Sequence, residues 1–275
     1  MLSPADALTQ EAKGLLNAGK AGESLPLFRK AVQLAPRSAV ARYNLGYALY
    51  SFGDMAGAAT ELTAALDLEP RYAEAMNTIG NIRHRSGDRE GAASMYVAAL
   101  EADPECVTAL VNMGNVELER GRPSPAAVHY RAALALDPGR LSAITGIGQA
   151  ALEAHDWNAA AKAFREALAV DARCTRALFG LGKALGQLDD FDGAAAVLRS
   201  CLRIDPLDPS TIAALGMCLA LKALTRGSNV LLWAARRKLK YAQKLEAESG
   251  QAGEQDLEGL LDATTRILPS RRSRR

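Results

Sequence analysis

Apolar residues along most of the chain recur at intervals of three and four, which is the spacing of amphipathic helices. The helical stretches come in pairs joined by a short turn, as in residues 44–59, "NLGYALYSFGDMAGAA", where Gly53 and Asp54 interrupt the pattern. The pattern therefore predicts helical hairpins. Gly46 lies inside the first helix of this pair, although an interior glycine costs about 1 kcal/mol relative to alanine, so we expect a packing reason for it.

That glycine belongs to a series with a period of 34 residues: Gly46, Gly80, Gly114, Gly148, Gly182 and Gly216. Prolines recur with the same period at 36, 70, 104, 138 and 206, and only Ala172 breaks their series. A fixed period of this size is typical of a solenoid. It predicts repeats at 5–38, 39–72, 73–106, 107–140, 141–174 and 175–208, followed by a half repeat at 209–225.

The second helix of each repeat places residues of fixed size on one face. Positions 20 and 27 of the repeat are small, as in Ala58 and Ala65, whereas position 24 is large, as in Leu62. We expect Gly46, at position 8, to face the small residues of its partner helices, so that two helix backbones approach closely. Because a proline has no N–H to donate, the periodic prolines should end each second helix.

Glycine also occupies the turn between the two helices, at position 15 of the first four repeats. His155 and Asp189 replace it in repeats five and six, and we expect those two turns to be less tight. At the start of the chain, Ser3 before Pro4 predicts an N-cap and the first turn of a helix.

These repeats resemble the tetratricopeptide repeat family, whose pattern is W-x2-L-G-x2-Y, then A-x3-F, then P. The segments "NLGYAL" and "AATELTAAL" with Pro70 match it, and the match extends over residues 5–208, although no repeat has Trp at position 4. The resemblance implies an all-α, right-handed solenoid of about six repeats. Such a repeat buries its apolar face only against its neighbours, so polar covers are needed at both ends.

The segment after the repeats is predicted to supply one such cover, in residues 226–269. "SNVLLWAARRKLKYAQKLEAES" predicts a long amphipathic helix capped by Ser228 or Asn229, and "GEQDLEGLLDATTRILP" a shorter one ended by Pro269. The last residues, 270–275, are basic and are predicted to be disordered.

Composition and charge narrow the class of protein. Residues 1–225 carry 22 Lys and Arg against 25 Asp and Glu, whereas 226–275 carry 11 against 6. No run of about eighteen apolar residues and no secretory signal is present, so we expect a cytoplasmic protein. The 4 cysteines form no CxxC pair and are interpreted as reduced packing residues.

The sequence offers no catalytic or metal-binding arrangement. His84, His129 and His155 fall at different repeat positions with no carboxylate or cysteine at ligand spacing, and phosphate loops, nucleophile elbows and zinc motifs are missing. We therefore expect no enzyme and no cofactor. The resemblance instead implies that a protein or peptide partner binds along the first helices.

In the family, first-helix positions 2, 5, 6, 9, 12 and 13 often contact a peptide. In this chain those positions give the predicted groove residues Tyr43, Asn44, Tyr47, Tyr50, Asn77, Asn81, Arg85, Asn112, Asn115, Gln149, Arg176 and Lys183. An asparagine amide both donates and accepts, which suits the backbone of an extended peptide. The alternative is that the asparagines are ordinary repeat residues and the tyrosines pack at the rim.

A carboxylate clamp, the family's better-known binding device, is not predicted, because only Asn115 and Arg176 match its positions. A second function remains open at the C-terminal end. The predicted helix there combines apolar residues with the cations Arg236, Arg237, Lys238, Lys240 and Lys244. It could cap the solenoid, dock to a partner, or direct the chain to an anionic membrane or to nucleic acid. Neither the partner nor the oligomeric state can be deduced from the sequence.

Overall fold

The computed structural model describes residues 3–249 together with 261 and 264, and the described elements are helices. Helices α1 to α14 are Pro4–Asn17, Ala21–Leu34, Ala39–Phe52, Met55–Leu68, Ala73–Arg85, Arg89–Ala102, Val107–Glu119, Pro123–Leu136, Leu141–Glu153, Trp157–Val170, Thr175–Gln187, Phe191–Ile204, Pro209–Arg226 and Asn229–Ser249. The predicted all-α fold and its helical hairpins are confirmed.

The helices form two compact units, Met1–Pro138 and Gly139–Arg275, which we call unit 1 and unit 2. Within unit 1, each repeat is a hairpin of a first and a second helix, and the second helix also packs on the first helix of the next repeat. Unit 2 follows the same rule from α9 to α14. In both units consecutive first helices also touch, so that they form one continuous surface per unit.

The core of each hairpin explains the helical glycines, and it adds the large side chain at position 24 to the expected packing. A Cβ on Gly46 would lie 2.8 Å from Leu62 Cγ, and one on Gly114 would lie 2.5 Å from Tyr130 Cε1. The glycine thus makes room for the large side chain at position 24. The prediction that Gly46 faces position 20 and lets the two helix backbones approach is confirmed, because its Cβ would also lie 3.3 Å from the Ala58 carbonyl oxygen. The small residue at position 27 is not among the atoms nearest to the glycine.

The turns between paired helices share one backbone conformation. Gly53 has φ +101°, and the non-glycine residues His155 and Asp189 have φ 58° and 59°. The expectation of looser turns at those two residues was wrong, because the neighbouring hairpin imposes the left-handed conformation even where a Cβ makes it unfavourable. An aspartate after most of these turns caps the second helix, as Asp54 does by accepting from the Gly57 N–H at 2.9 Å.

Helix ends agree with the sequence signals. Ser3 caps α1 in a capping box with Asp6, and α4 ends at Leu68, two residues before Pro70. Helix α10 ends at Val170 although Ala172 replaces the proline. The proline is therefore not required to end the helix.

Helices α13 and α14 form a longer hairpin that packs in the same way as the regular repeats. A Cβ on Gly216 would lie 3.0 Å from Leu239 Cδ2, and Ala235, Leu239 and Ala242 are wholly buried with the small, large, small spacing of the regular repeats. Ser228 caps α14 through the Leu231 N–H. Leu261 packs against this pair beside Ile212, and Thr264 is also buried. The other residues of the second predicted C-terminal helix and the tail 270–275 lie outside the described residues.

Candidate functional site

Four tyrosines lie together on the first-helix surface of unit 1. Tyr43, Tyr47 and Tyr50 follow one another along α3, with ring centroids 6.1 and 6.4 Å apart, and Tyr72 at the start of α5 approaches Tyr43 to 5.0 Å. The guanidinium of Arg85 lies 5.5 Å from the centre of the Tyr50 ring, a cation–π contact. We call these five residues the tyrosine cluster.

The tyrosine cluster is partly shielded from water. Tyr47 keeps 41% of its surface exposed, whereas Tyr43 is half-buried. Burial raises the pKa of Tyr43 from 10.0 to about 12, against the lowering effect of a hydrogen bond with Thr78, and burial also raises the pKa of Tyr72. A protonated tyrosine hydroxyl is a hydrogen-bond donor, so the Tyr72 hydroxyl can donate to a ligand, whereas the Tyr43 hydroxyl is already engaged with Thr78.

The side chains of Asn77, Asn81, Asn112 and Asn115 form a row of polar groups beside the tyrosines, which we call the asparagine ladder. The Asn112 amide nitrogen donates to Asn77 Oδ1 at 2.8 Å and to Asn81 Oδ1 at 2.9 Å, which ties α7 to α5. Asn77 is only 6% exposed, and Asn44 is 5% exposed with an amide nitrogen that has no hydrogen-bond partner among the described residues. Of the predicted asparagines, Asn115 is the exposed one, and Asn81 and Asn112 are half-buried.

Two of these asparagines have partners that sequence reasoning missed. The Tyr96 hydroxyl donates to Asn81 Oδ1 at 2.8 Å, and the Tyr130 hydroxyl donates to Asn115 Oδ1 at 2.7 Å. Each pair joins position 24 of a repeat to position 9 of the same repeat. The signal was present in the sequence, because asparagine occupies position 9 only in the two repeats that have tyrosine at position 24.

Charged groups border this surface at its α7 end. Glu119 contacts the His84 ring nitrogen at 2.7 Å and Arg89 Nε at 3.2 Å. The carboxylate is thereby held between two basic side chains from α5 and α6. The unit 1 surface thus combines aromatic rings, amides and one fixed acidic group.

Unit 2 presents a cavity of about 250 Å³ on its own first-helix surface. Two predicted residues, Gln149 and Lys183, line this cavity, together with Glu153, Trp157 and Leu221. Gln149 donates to Glu153 Oε1 at 3.1 Å, and the Lys183 ammonium lies 5.5 Å from the Phe179 ring centre. Arg176 is exposed near the start of α11 and does not line the cavity.

The basic helix α14 uses its apolar face for packing. Leu232, Ala235 and Leu239 are at most 2% exposed, and α14 packs along α13. The predicted cations lie on the remaining faces, where Lys244 pairs with Glu248 at 3.5 Å. An interfacial membrane helix needs a free apolar face, so this arrangement disfavours the membrane interpretation.

The remaining chemistry of the described residues is limited. All four cysteines have free thiols, and burial raises the pKa of Cys218 to about 11. Over the described residues, we find no group of three His, Cys, Asp or Glu side chains placed to hold a metal ion. None of the helices within that part of the chain combines the length and apolar character of a membrane span.

Comparison with solved structures shows the fold. The Cut9–Hcn1 hetero-tetramer of the APC/C aligns with a TM-score of 0.74 and 18% identity, over 94% of this chain and 49% of that one. The chain therefore spans about half the length of that relative. Pseudomonas aeruginosa pilF aligns with a TM-score of 0.64 and 22% identity, over 74% and 92% of the two chains.

YrrB, described as a TPR protein with an unusual peptide-binding site, aligns with a TM-score of 0.52 and 21% identity, over 65% of this chain and 92% of that one. No curated protein matches the chain. The family profile of the tetratricopeptide repeat matches residues 9–73, 77–140 and 145–209, which is well over half of the sequence. This chain belongs to the tetratricopeptide repeat family, which agrees with its helical hairpins of fixed period and with the large core side chains that pack on helical glycines.

Proposed function

We propose that this protein is a non-enzymatic scaffold or adaptor that binds a segment of a partner protein on the first-helix surface of unit 1, and so assists the assembly or recruitment of a complex. Tetratricopeptide repeat proteins generally mediate interactions between proteins. The observation that carries the proposal is the tyrosine cluster beside the asparagine ladder. The four free thiols fit a reducing compartment, and we propose the cytoplasm.

The tyrosine cluster supplies the apolar part of the binding surface. Tyrosine offers a large rigid area and a polar tip, which is why it is enriched in protein interfaces. Tyr47 is exposed at the centre of the cluster, between Tyr43 and Tyr50. A side chain of the partner that covers Tyr47 would also contact its two neighbours.

The asparagine ladder supplies backbone recognition. Because Asn115 Oδ1 already accepts from Tyr130, its amide nitrogen is the group that can donate to a carbonyl of the partner. An extended segment leaves its own N–H and C=O groups available for such bonds. The asparagine ladder therefore binds the backbone of the partner, whereas the tyrosines and Arg85 contact its side chains.

The experiment must avoid asparagines that support the core. Removing Asn81 or Asn115 would leave a tyrosine hydroxyl without its acceptor, so loss of binding could reflect damage to the fold. We propose the double variant Tyr47→Ala with Arg85→Ala, and Val128→Ala with Arg131→Ala on the exposed face of α8 as the matched control.

Peptides that bind the wild-type chain would be selected from a random display library, and their affinity measured for both variants. We expect at least a tenfold loss for the unit 1 variant and less than a twofold change for the control, with unchanged circular dichroism. Equal affinity of the unit 1 variant and the wild type would refute the assignment of this surface.

A further inference from the structure

The hairpin of α13 and α14 is an unusually basic part of the chain. Residues 209–245 contain seven Lys and Arg and no Asp or Glu. Lys222 and Arg226 both pair with Asp192 of α12, and Lys244 pairs with Glu248. The remaining four, Arg236, Arg237, Lys238 and Lys240, make no ion pair with any described residue.

These four cations surround an open cavity of about 560 Å³. Trp233 and Leu219 line the same cavity, so its wall is part aromatic and part aliphatic. The Arg236 guanidinium lies 5.7 Å from the Trp233 ring centre. Its Nε is buried and lacks a hydrogen-bond partner within the described structure.

A buried guanidinium N–H without an acceptor is costly, whereas the same group becomes favourable when a carboxylate accepts from it. Arginine clusters recognise acidic protein motifs in this way. Unpaired like charges also repel one another, and an anionic ligand would remove that repulsion. Among the described lining residues there is no negatively charged hydrogen-bond acceptor, which is the component that these cations call for.

We propose that this cavity is a second binding site, which takes an acidic segment of a partner protein with an apolar side chain next to its carboxylates. The carboxylates pair with the four cations, and the apolar side chain packs on Trp233 and Leu219. A membrane surface fits less well because the apolar face of α14 is buried against α13. A nucleic acid would pair its phosphates with the same cations but would place no aliphatic side chain on Leu219, and the RNA titration below separates the two ligands.

The test uses the full chain with Trp157→Phe, which leaves Trp233 as its one tryptophan. The probe is a short synthetic peptide of aspartate and glutamate around a central leucine, and the same peptide with asparagine and glutamine serves as the uncharged control. Emission from Trp233 reports binding. A single-stranded RNA oligonucleotide and phosphatidylserine vesicles are titrated under the same conditions.

The decisive variant is Arg236→Gln, Arg237→Gln and Lys240→Gln, and its matched control is Lys13→Gln, Arg29→Gln and Lys30→Gln, which removes the same charge from unit 1. We expect the acidic peptide to bind, the cavity variant to lose at least about tenfold in affinity, and the control to change less than twofold. Lys240→Gln alone, at an exposed position, should lose about threefold without any effect on folding.

Equal binding of the acidic and amide peptides, or unchanged affinity in the cavity variant, would overturn the proposal. Tighter binding of RNA or vesicles than of the acidic peptide, with the same dependence on these residues, would also overturn it. The site is independent of the tyrosine cluster, so Tyr47→Ala should leave acidic-peptide binding intact, and either proposal can fail alone.

Discussion

Repeats three and four of unit 1 and repeat five of unit 2 fill core position 24 in two chemically different ways. In unit 1 the ring of Tyr96 packs on Gly80, and its hydroxyl donates to Asn81, which also accepts from Asn112 of the next repeat. In unit 2 the ring of Phe164 lies between Gly148 and Gly180. Gly180 occupies the repeat position that Asn112 occupies in unit 1.

The difference shows that the residue at position 24 determines which residues can pack around it. A hydroxyl at the ring edge requires an acceptor, and unit 1 supplies it with an asparagine that reaches the surface. A plain phenyl ring requires only space, and unit 2 supplies it with a second glycine. The polar character of the unit 1 surface is therefore partly a consequence of the tyrosines beneath it.

The largest effect should come from filling the space beside Phe164. A Cβ at residue 180 would lie 2.3 Å from Phe164 Cζ, so Gly180→Ala should lower the free energy of unfolding by about 3 kcal/mol. Gly186→Ala, in the same helix, is the control, because its Cβ would meet Cys218 Sγ at an ordinary 3.5 Å. Urea denaturation measures both, and an equal effect of the two substitutions would contradict this account of unit 2.

Removal of an acceptor in unit 1 should have the next largest effect. Asn115→Ala leaves the wholly buried Tyr130 without this hydrogen bond, which should cost about 2 kcal/mol. The double variant with Tyr130→Phe should recover part of that loss, because no hydroxyl remains to be satisfied. Gln149→Ala, the equivalent position above Phe164, should cost less than about 0.5 kcal/mol. A double-mutant cycle with zero coupling would show that the hydroxyl and the amide act independently.

The turns also differ between the units, and a substitution in a turn of unit 2 should raise the stability of the protein. Asp189 has φ 59° where the first four repeats have glycine. Asp189→Gly should stabilise the protein by about 0.5–1 kcal/mol, since relief of the left-handed strain exceeds the added entropy of the unfolded chain. The converse change, Gly121→Asp, should destabilise unit 1. Thermal denaturation by circular dichroism would detect both shifts, and a lower melting temperature for Asp189→Gly would contradict the argument.

The smallest effect is a loss of folding stability that begins only in alkaline solution. Burial raises the pKa of Tyr43 to about 12 in the folded chain, against 10.0 for an ordinary tyrosine. The unfolded chain therefore loses this proton first, so the stabilisation is complete below pH 10 and declines as the pH rises from about 10 through 12. Tyrosinate absorbance during an alkaline titration should show a delayed component, to which Tyr72 and Tyr96 also contribute, and Tyr43→Phe should reduce it by one tyrosine. A titration without that component would contradict the burial of the cluster.

The period of the sequence was enough to predict the repeats, the turns and the helix ends. It predicted the close approach of Gly46 to Ala58, but not that the Leu62 side chain packs on the glycine. Spacing places residues on a face without showing which side chain of the partner helix reaches across. The conformation at His155 and Asp189 was missed for a similar reason. Local preference disfavours a left-handed aspartate, but two packed helices leave that turn no other conformation.

The candidate site was predictable by position and less so by role. Family positions selected Tyr43, Tyr47 and Tyr50, which the structure brings into contact. The same rule selected Asn44, which is buried, and Arg176, which stands apart from the unit 2 cavity. Helical spacing indicates the side of a helix on which a residue lies. Its exposure also depends on how large the neighbouring side chains are, and a rule based on repeat position carries no information about their size.

The bond from Tyr130 to Asn115 has a consequence for how binding preference can change over time. An exposed amide that also satisfies an interior hydroxyl cannot be exchanged alone for a lysine or a valine without a loss of fold stability. Drift of specificity in unit 1 would therefore proceed through paired exchanges, one residue inside and one outside. Unit 2, whose phenyl ring makes no such demand, is free to vary its outer residue singly, and an engineer seeking new ligands would begin there.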